Sequence, residues 1–334
     1  MKICVVGAGA IGGFMGARLA QHDHEISLIA RGAHLEAIKN NGLKLLQDGK
    51  EIVADNVNAT DDIGDLDVQD VVLLALKSHQ IAAVMDKLPA LIGLQTVMVT
   101  LQNGIPWWYF QKLGGEYENR TVETVDPAGV LMSGIDPDCL LGCIAYPAAV
   151  IAEPGVIHHV EGVRFPLGEL DGSVSERAQR VSEAFIEAGF KSPVLEDIRS
   201  EIWLKLWGNL TFNPISAMTH STLEAICQFP LTRELAATMM TEAKTVAEKL
   251  GATFRVSLER RIEGAEKVGK HKTSMLQDVE AGKPLEIDGM LGVVIELAEI
   301  TGTDIPTLKA VYACVSLLNH TMSQHGVYIR AQTL

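Results

Sequence analysis

Cysteine is scarce in this sequence, and the five cysteines argue against a disulfide-stabilised protein and against a zinc protein. An odd number cannot pair fully in disulfides, and most of these residues lie in apolar runs, so we interpret them as reduced thiols in the core of a cytoplasmic protein. Cys139 and Cys143 lack a second Cys/His pair at zinc-like spacing, and we therefore expect no metal. The sequence also lacks any run of 18 or more apolar residues, so no membrane span is predicted.

Positive charge is in deficit as well. The sequence has 28 lysines and arginines against 42 acidic residues, a net charge of −14. This balance argues against nucleic acid or an anionic membrane as the main partner, whereas an anionic cofactor needs only a local positive pocket. The hydrophobic fraction of 47% and the length of 334 residues are those of a globular protein with two sizeable cores. The N-terminal apolar run is too short and too rich in glycine for a signal peptide.

Glycine, by contrast, is concentrated in the motif GAGAIGG at residues 7–13. The motif follows a predicted strand over residues 2–6 and opens a predicted helix, which is the arrangement of a dinucleotide-binding turn. Gly7 would make the tight turn, Gly9 would let the pyrophosphate approach the backbone, and Gly12 would let helix and strand pack closely. With Ala10 and Ile11, these glycines are the predicted cofactor-binding residues of the loop. A glycine-rich turn without a ligand is the alternative.

The second predicted strand, over residues 25–30, ends in Arg31. NAD-specific sites usually place an acidic residue near this point to bind the ribose 2′-hydroxyl, whereas an arginine accommodates the 2′-phosphate of NADP. Arg31 therefore predicts NADP(H) as the cofactor. The alternative is a surface arginine that only ends a strand.

Two further apolar strands, over residues 70–76 and 96–101, are followed by Lys77 and Asn103. Ligands lie beyond the carboxyl ends of the strands in open α/β sheets, so both residues are site candidates. Asn103 and Gly104 could equally form only a turn. The aromatic run at residues 107–110 follows, and we interpret it as core rather than as an apolar wall of the substrate pocket.

The remaining pattern predicts an α/β fold class in which an N-terminal Rossmann-type doubly wound sheet is joined to a C-terminal all-helical domain. The dinucleotide-binding domain would cover residues 1–195. The helical substrate and catalytic domain would cover residues 196–334 and would also offer a surface for a homodimer. In the first domain we predict a hairpin around Asp48 and Gly49, a long loop over 114–138, strands at 140–150 and 155–167 with a turn at Glu161-Gly162, and a helix at 173–188. In the second we predict helices at 197–212, 231–250, 256–268, 287–300 and 306–320.

The first of these helices carries one polar row on an otherwise apolar surface, formed by Glu201, Lys205, Asn209 and Asn213. Residues four apart lie on one helix face, and a helix that is apolar nearly all round is normally buried, so these side chains require a polar cavity. The alternative is that Glu201 and Lys205 form a surface ion pair and that the asparagines face solvent. Pro214 should end or kink this helix.

The two halves together suggest reduction of a ketone by a nicotinamide cofactor, which needs a proton for the developing alkoxide. Lys205 is the best candidate for that acid. Asn103, Asn209 and Asn213 could orient the substrate and polarise its oxygen without charge of their own. Glu286 and Asp288 could act only as a helix cap.

The sequence resembles the ketopantoate reductases along nearly its whole length. The resemblance is carried by GAGAIGG, Arg31, LKSHQ with Lys77, QNG with Asn103, EIWLKLWGNLTFNP with Lys205, Asn209 and Asn213, and TSMLQD…EID with Ser274 and Glu286. It implies an active site between a Rossmann-type and a helical domain, with NADPH as hydride donor and Lys205 as general acid. It also implies that Glu286 holds a substrate hydroxyl, that Ser274 and the asparagines bind substrate polar groups, and that Lys77 lies near cofactor and substrate.

Two features depart from the family pattern. Better-known members carry an Asn-Gly pair shortly after the asparagine helix, where this chain has HSTLE at residues 220–224. The chain is also longer between Asn103 and Lys205 and contains the aromatic run. Both changes fall near the expected substrate cleft, so cofactor and reaction type transfer better than substrate identity.

Three hypotheses follow. The first is NADPH-dependent reduction of ketopantoate or a close 2-keto acid, and the second is the same chemistry on a bulkier keto acid or a β-hydroxy acid. The third is an NADP(H)-binding sensor without catalysis, against which the presence of Lys205, Asn209 and Glu286 argues, because binding alone does not require all three.

Overall fold

A computed structural model of the chain describes residues 1–330, which divide into two compact units. The first unit consists of Met1–Thr121 and Asp126–Ile198. The second consists of Val122–Val125 and the residues from Arg199 onward.

The strands of the first unit form two sheets. In chain order they are β1 (Lys2–Val6), β2 (Glu25–Ile29), β3 (Leu43–Gln47), β4 (Lys50–Ala54), β5 (Val57–Thr60), β6 (Val71–Leu74), β7 (Val97–Thr100), β8 (Leu140–Cys143), β9 (Ala148–Glu153), β10 (Val156–Glu161) and β11 (Leu167–Gly168). The larger sheet has the order β11-β8-β7-β6-β1-β2-β5, and the smaller sheet the order β4-β3-β10-β9.

The larger sheet is doubly wound around β1. From β1 the strand order runs to β2 and β5 on one side and to β6, β7 and β8 on the other, with all these strands parallel. Val6 pairs with both Ile29 and Leu74, and Leu74 pairs with Thr100. Strands β2, β1, β6 and β7 therefore end in register at one edge of the sheet, next to the point where the strand order reverses.

The helices of the first unit are α1 (Ala10–Leu19), α2 (Gly32–Asn41), α3 (Ser78–Ile81), α4 (Val130–Gly134) and α5 (Glu176–Glu187). Glycines let α1 fit closely between the two sheets. A Cβ at Gly16 would lie 2.7 Å from Leu28 Cδ2 in the larger sheet, and one at Gly13 would lie 2.9 Å from Ile157 in the smaller. The smaller sheet thus covers the outer side of the helix that follows the glycine motif.

The aromatic run at residues 107–110 belongs to the core of the first unit. All four side chains are at most 2% exposed, and Trp108 Nε1 donates a hydrogen bond to Thr100 Oγ1 at 3.0 Å. Trp108 also packs against the backbone of Gly142, where a Cβ would lie 2.9 Å from its ring. These contacts support the core interpretation of the run.

The hairpin at Asp48-Gly49 is confirmed, since both residues have positive φ, 52° and 73°, and connect β3 with β4. The predicted strand over 140–150 is wrong, because it divides into β8 and β9, which lie in different sheets. The hairpin turn at Glu161-Gly162 is also wrong. Glu153 pairs with Val156, so the turn is formed by Pro154 and Gly155, where Gly155 supplies a φ of +78°.

The segment predicted as a loop over 114–138 contains the helix α4. Asp126 explains it, because its buried carboxylate accepts hydrogen bonds from the N–H groups of Leu131 at 2.7 Å and Met132 at 2.8 Å. This carboxylate satisfies amide donors at the start of the helix, which have no partners within the helix itself.

The second unit is helical. Its elements are α6 (Ile198–Thr219), α7 (Leu223–Gln228), α8 (Pro230–Lys249), α9 (Leu258–Lys267), α10 (Ser274–Ala281), a π-helical turn (Asp288–Gly292), α11 (Val293–Ile300) and α12 (Pro306–His325). The predicted fold class, an N-terminal Rossmann-type sheet joined to a helical C-terminal part, is confirmed. No helix within residues 1–330 is both long and apolar enough to cross a membrane.

Two features of these helices were not predicted. The predicted end of the first helix at residue 212 is wrong, because helix α6 continues through Pro214 to Thr219, although proline lacks the N–H that would bond to the preceding turn. Residues 210–217 are all buried, so tertiary packing outweighs the lost hydrogen bond. A kink at Pro214 stays a prediction. The segment between the helices predicted at 256–268 and 287–300 contains a further helix, α10, whose N-cap Thr273 accepts from the N–H of Leu276 at 3.3 Å.

Candidate active site

The glycine loop follows β1 directly at the aligned sheet edge. Gly7 has a φ of +103°, and a Cβ there would lie 2.8 Å from Leu76 Cδ2. A Cβ at Gly12 would lie only 2.2 Å from the carbonyl oxygen of Gly7. Both positions therefore require glycine because of contacts within the protein itself.

Gly9 differs from these two glycines. Its φ is −72°, which any residue can adopt, and a Cβ there would meet no atom within 4 Å. The open space lies at the N-terminus of α1, where the first N–H groups have no partner within the helix and the helix dipole favours an anion. The loop therefore fits the pyrophosphate of a dinucleotide, with Ala10, Ile11 and Gly12 in the first turn of the helix.

Arg31 lies at the same edge, two residues beyond the end of β2. It is exposed and occupies the N-cap position of α2. Arg31 follows β2, and β2 pairs with β1, the strand that leads into the glycine loop. In a Rossmann-type site, the ribose 2′-substituent of a dinucleotide would lie near this position.

Lys77 and Asn103 lie three residues beyond the aligned ends of β6 and β7. Lys77 is half-buried at the N-cap of α3, and Asn103 is exposed. Gln102 joins the two loops, because its Nε2 donates to the carbonyl oxygens of Leu74 at 2.7 Å and Leu76 at 3.1 Å. The structure thus brings the glycine loop, Arg31, Lys77 and Asn103 to one sheet edge, as the sequence predicts.

In the second unit, α6 carries the polar row. Lys205 and Asn209 are half-buried among neighbours that are fully buried, and Asn213 is 6% exposed. The side chain of Glu201 does not lie at the surface, since it is 1% exposed. Its carboxylate accepts hydrogen bonds from both terminal nitrogens of Arg255, one at 3.1 Å. The row therefore lies on a helix whose other faces pack in the core.

Asn213 connects this helix to two other segments. Its Nδ2 lies 3.5 Å from Ser274 Oγ, at the start of α10, and 3.8 Å from Met290 Sδ in the π-helical turn. Ser274 is exposed, so its hydroxyl remains accessible beside a buried amide. Two predicted substrate-binding residues are thus brought together.

Glu286 lies just before the π-helical turn and is half-buried. Asp288 lies in the first turn of the π-helical segment, where a carboxylate stabilises the helix N-terminus, whereas the N-cap residue Ile287 makes no side-chain bond. Asp288 Oδ1 also accepts a hydrogen bond from the Tyr312 hydroxyl at 2.8 Å. Burial, together with this bond, raises the pKa of Tyr312. Hydrophobic periodicity gives no sign of a π-helical turn, so sequence analysis missed this arrangement, although such turns are frequent at functional sites.

The segment that departs from the family pattern forms the start of α7. His220 has a φ of +54°, and Thr222 caps the helix by accepting from the N–H of Ala225 at 3.4 Å. The N–H of Leu223 donates to the carbonyl oxygen of His271 at 3.1 Å. The departure is therefore a structured cap that docks on the loop preceding α10.

Across residues 1–330, no group of three metal-ligating side chains is placed to hold a metal ion. Cys139 and Cys143 are buried and form no disulfide, and burial raises the pKa of Cys139 to about 11.

A glycine loop at the switch point of a doubly wound sheet, joined to a helical unit with a lysine–asparagine row, defines an oxidoreductase that uses a pyridine nucleotide. Two family models match the chain: "Ketopantoate reductase PanE/ApbA" over residues 3–172 and "Ketopantoate reductase PanE/ApbA C terminal" over residues 197–319. The chain belongs to the ketopantoate reductase family.

Individual relatives agree with this assignment. A 2-dehydropantoate 2-reductase of Mesorhizobium japonicum is 50% identical over 319 residues, which cover 95% of this chain and 98% of the relative. A crystal structure from Ralstonia solanacearum, assigned as a ketopantoate reductase, has a TM-score of 0.91 and 37% identity and covers 96% of this chain and 98% of its own. A D-mandelate dehydrogenase with NADH has a TM-score of 0.82, covers 97% of this chain and 99% of its own and, at 20% identity, shares the fold.

Proposed function

We propose that the protein reduces the keto group of 2-dehydropantoate to give pantoate, with NADPH as the hydride donor and Lys205 as the general acid. The observation that carries the proposal is the row of Lys205, Asn209 and Asn213 on a helix that is otherwise buried, with Asn213 reaching Ser274. The relative that is 50% identical over nearly the whole chain, a 2-dehydropantoate 2-reductase, supports the choice of substrate.

A dinucleotide-binding domain of residues 1–195 would bind the cofactor, and a helical domain of residues 196–334 would supply the catalytic and substrate-binding residues. Open space at Gly9 supports binding of the pyrophosphate, and the exposed guanidinium of Arg31 supports NADPH over NADH. Lys77 and Asn103 would contact the cofactor from the neighbouring strand ends.

Bound NADPH supplies the hydride. The negative charge that develops on the substrate oxygen needs a proton, and the ammonium group of Lys205 would donate it. Asn103 and Asn209 would orient the carbonyl through amide hydrogen bonds that add no net charge. Glu286 would hold a hydroxyl group of the substrate, and Asn213 and Ser274 would bind other polar groups of the substrate.

Replacing Lys205 with Ala tests the acid assignment. We expect kcat for NADPH oxidation with ketopantoate to fall about 10²- to 10⁴-fold, the usual contribution of a general acid. The dissociation constant for NADPH, measured by fluorescence titration, should stay unchanged because Lys205 is on the second unit. The exposed Lys309 on α12 provides the matched control, and Lys309→Ala should leave both quantities as in the wild type. Retention of turnover by the Lys205→Ala enzyme would show that another group is the acid.

A second candidate is reduction of a bulkier 2-keto acid by the same residues. The start of α7, which replaces the Asn-Gly contact of better-known family members, favours it, since an amide ligand for pantoate is then missing from that position. A panel of 2-keto acids of increasing side-chain size distinguishes the candidates by kcat/KM. A value of about 10⁴ M⁻¹s⁻¹ or more with ketopantoate supports the first, and a low value despite NADPH binding supports the second.

A cytoplasmic location and pairing of two chains through the helical unit complete the proposal. Light scattering on the purified protein tests the homodimer directly.

A further inference from the structure

His34 links the glycine loop to the smaller sheet through its two ring nitrogens. The side chain projects from α2 and is half-buried. Its Nδ1 accepts a hydrogen bond from the N–H of Gly155, in the β9–β10 turn, at 3.0 Å. Its Nε2 lies 2.9 Å from the carbonyl oxygen of Ala8 in the glycine loop. Because Nδ1 accepts, the neutral ring carries its hydrogen on Nε2, which donates to Ala8.

This bond determines the orientation of one peptide group. The N–H of Ala8 donates to the carbonyl oxygen of Ile29 at 2.8 Å, and its carbonyl is held by His34, so the residue is fixed on both sides. The peptide between Ala8 and Gly9 is planar and trans, so its C=O and N–H point in opposite directions. The Gly9 N–H therefore points away from His34.

The geometry points to His34 as a positioning residue that holds the Gly9 N–H toward the pyrophosphate of the cofactor. This role rests on the dinucleotide binding proposed above. Without the bond to His34, the peptide could rotate and present the Ala8 carbonyl to the phosphate in place of the Gly9 N–H. The carbonyl oxygen of Ala8, a hydrogen-bond acceptor, would then face the anionic pyrophosphate in place of the donating Gly9 N–H, and pyrophosphate binding would weaken.

His34 also connects the glycine loop of the larger sheet with the β9–β10 turn of the smaller sheet. An experiment must therefore distinguish a role in stabilising the fold from the role in positioning the Gly9 N–H. His34→Leu removes both hydrogen bonds at similar volume, whereas His34→Gln keeps an amide N–H of similar reach. Two ligands complete the design: NADPH, which contains the pyrophosphate, and adenosine 2′-monophosphate, which offers the 2′-phosphate to Arg31 but has no pyrophosphate.

We expect His34→Leu to raise the dissociation constant and KM for NADPH about 10- to 100-fold, the effect of losing a hydrogen bond to a charged group. Its kcat at saturating NADPH should remain within about twofold of the wild type, because Lys205 and the substrate-binding residues are untouched. Affinity for adenosine 2′-monophosphate should be unchanged, and His34→Gln should restore most of the NADPH affinity.

Equal NADPH affinity of the wild type and His34→Leu would overturn the positioning role alone. Parallel loss of affinity for both ligands, without rescue by His34→Gln, would show that His34 only stabilises the unit and would also overturn it. If the wild type bound no NADPH, the proposed function would fail, and this role with it.

Discussion

Gly9 and Gly12 lie three residues apart in one motif, but the structure gives them different environments. An alanine Cβ at position 9 points into open space, whereas at position 12 it would lie 2.2 Å from the Gly7 carbonyl oxygen. We expect Gly9→Ala to leave the melting temperature nearly unchanged but to weaken NADPH binding, because in the proposed binding mode the methyl group would occupy the approach of the pyrophosphate. Gly12→Ala should instead destabilise the fold by about 1–3 kcal/mol, as overpacking does.

Circular dichroism melts and NADPH titrations of the two variants check this prediction. Normal NADPH affinity in folded Gly9→Ala would mean that the cofactor does not approach the backbone there.

At this scale, the residues that sequence analysis found are those whose neighbours in the chain define their role. Gly7, Gly9 and Gly12 follow a strand, and Lys205, Asn209 and Asn213 repeat at helical spacing. His34 could not be found in this way, because Gly155, the donor to its Nδ1, lies 121 residues away in the sequence. The roles of Asp126 and Tyr312 likewise depend on contacts that only the folded chain creates.

Among the elements, the strands β1, β6 and β7 were predictable because each is a short, mostly apolar run. The smaller sheet was not, since β3 pairs in parallel with β10, which lies more than a hundred residues later. No local pattern reports such a pairing. The continuation of α6 through Pro214 depends in the same way on burial against neighbouring helices, of which Trp207 gives one example by donating to the Met240 carbonyl at 2.7 Å.

Helix α12 is capped by a side chain from another helix. Glu242 of α8 accepts from the N–H groups of Thr307 at 3.0 Å and Leu308 at 2.9 Å, with one carboxylate oxygen each. We expect Glu242→Ala to lower the free energy of unfolding by about 1–2 kcal/mol, the cost of losing a helix cap. Urea denaturation measures the change.

The control is Glu248→Ala, on the same helix. Glu248 forms an exposed pair with Lys244 at 3.5 Å, and its loss should cost less than about 0.5 kcal/mol. Equal effects of the two substitutions would contradict the capping role of Glu242.

At the scale of the whole molecule, buried thiols should make the free energy of unfolding fall as the pH rises above about 9. Burial raises the pKa of Cys4 from 9.0 to about 12, and that of Cys227 to about 11. Above pH 9 the unfolded chain releases thiol protons that the folded chain retains, so the folded state binds more protons and stability falls as pH rises. Cys4 alone should contribute a loss of about 1 kcal/mol for each pH unit between 9 and 11.

Urea denaturation at several pH values between 8 and 11 tests this dependence. The slope of unfolding free energy against pH should be smaller in Cys4→Ala, whatever the absolute stability of that variant. It should be unchanged in Cys314→Ala, because Cys314 is exposed. Identical slopes in all three proteins would show that Cys4 ionises equally in both states.

The aligned strand ends of the larger sheet have a consequence for evolvability. Residues 3–6 of β1, which stabilise the sheet, are fully buried, while the glycine loop and Arg31 begin only beyond its edge. In the proposed binding mode, coenzyme preference would therefore change through a few substitutions in loops while the core of the sheet stays unaltered. Proteins that share this sheet could thus change their coenzyme without a change of fold.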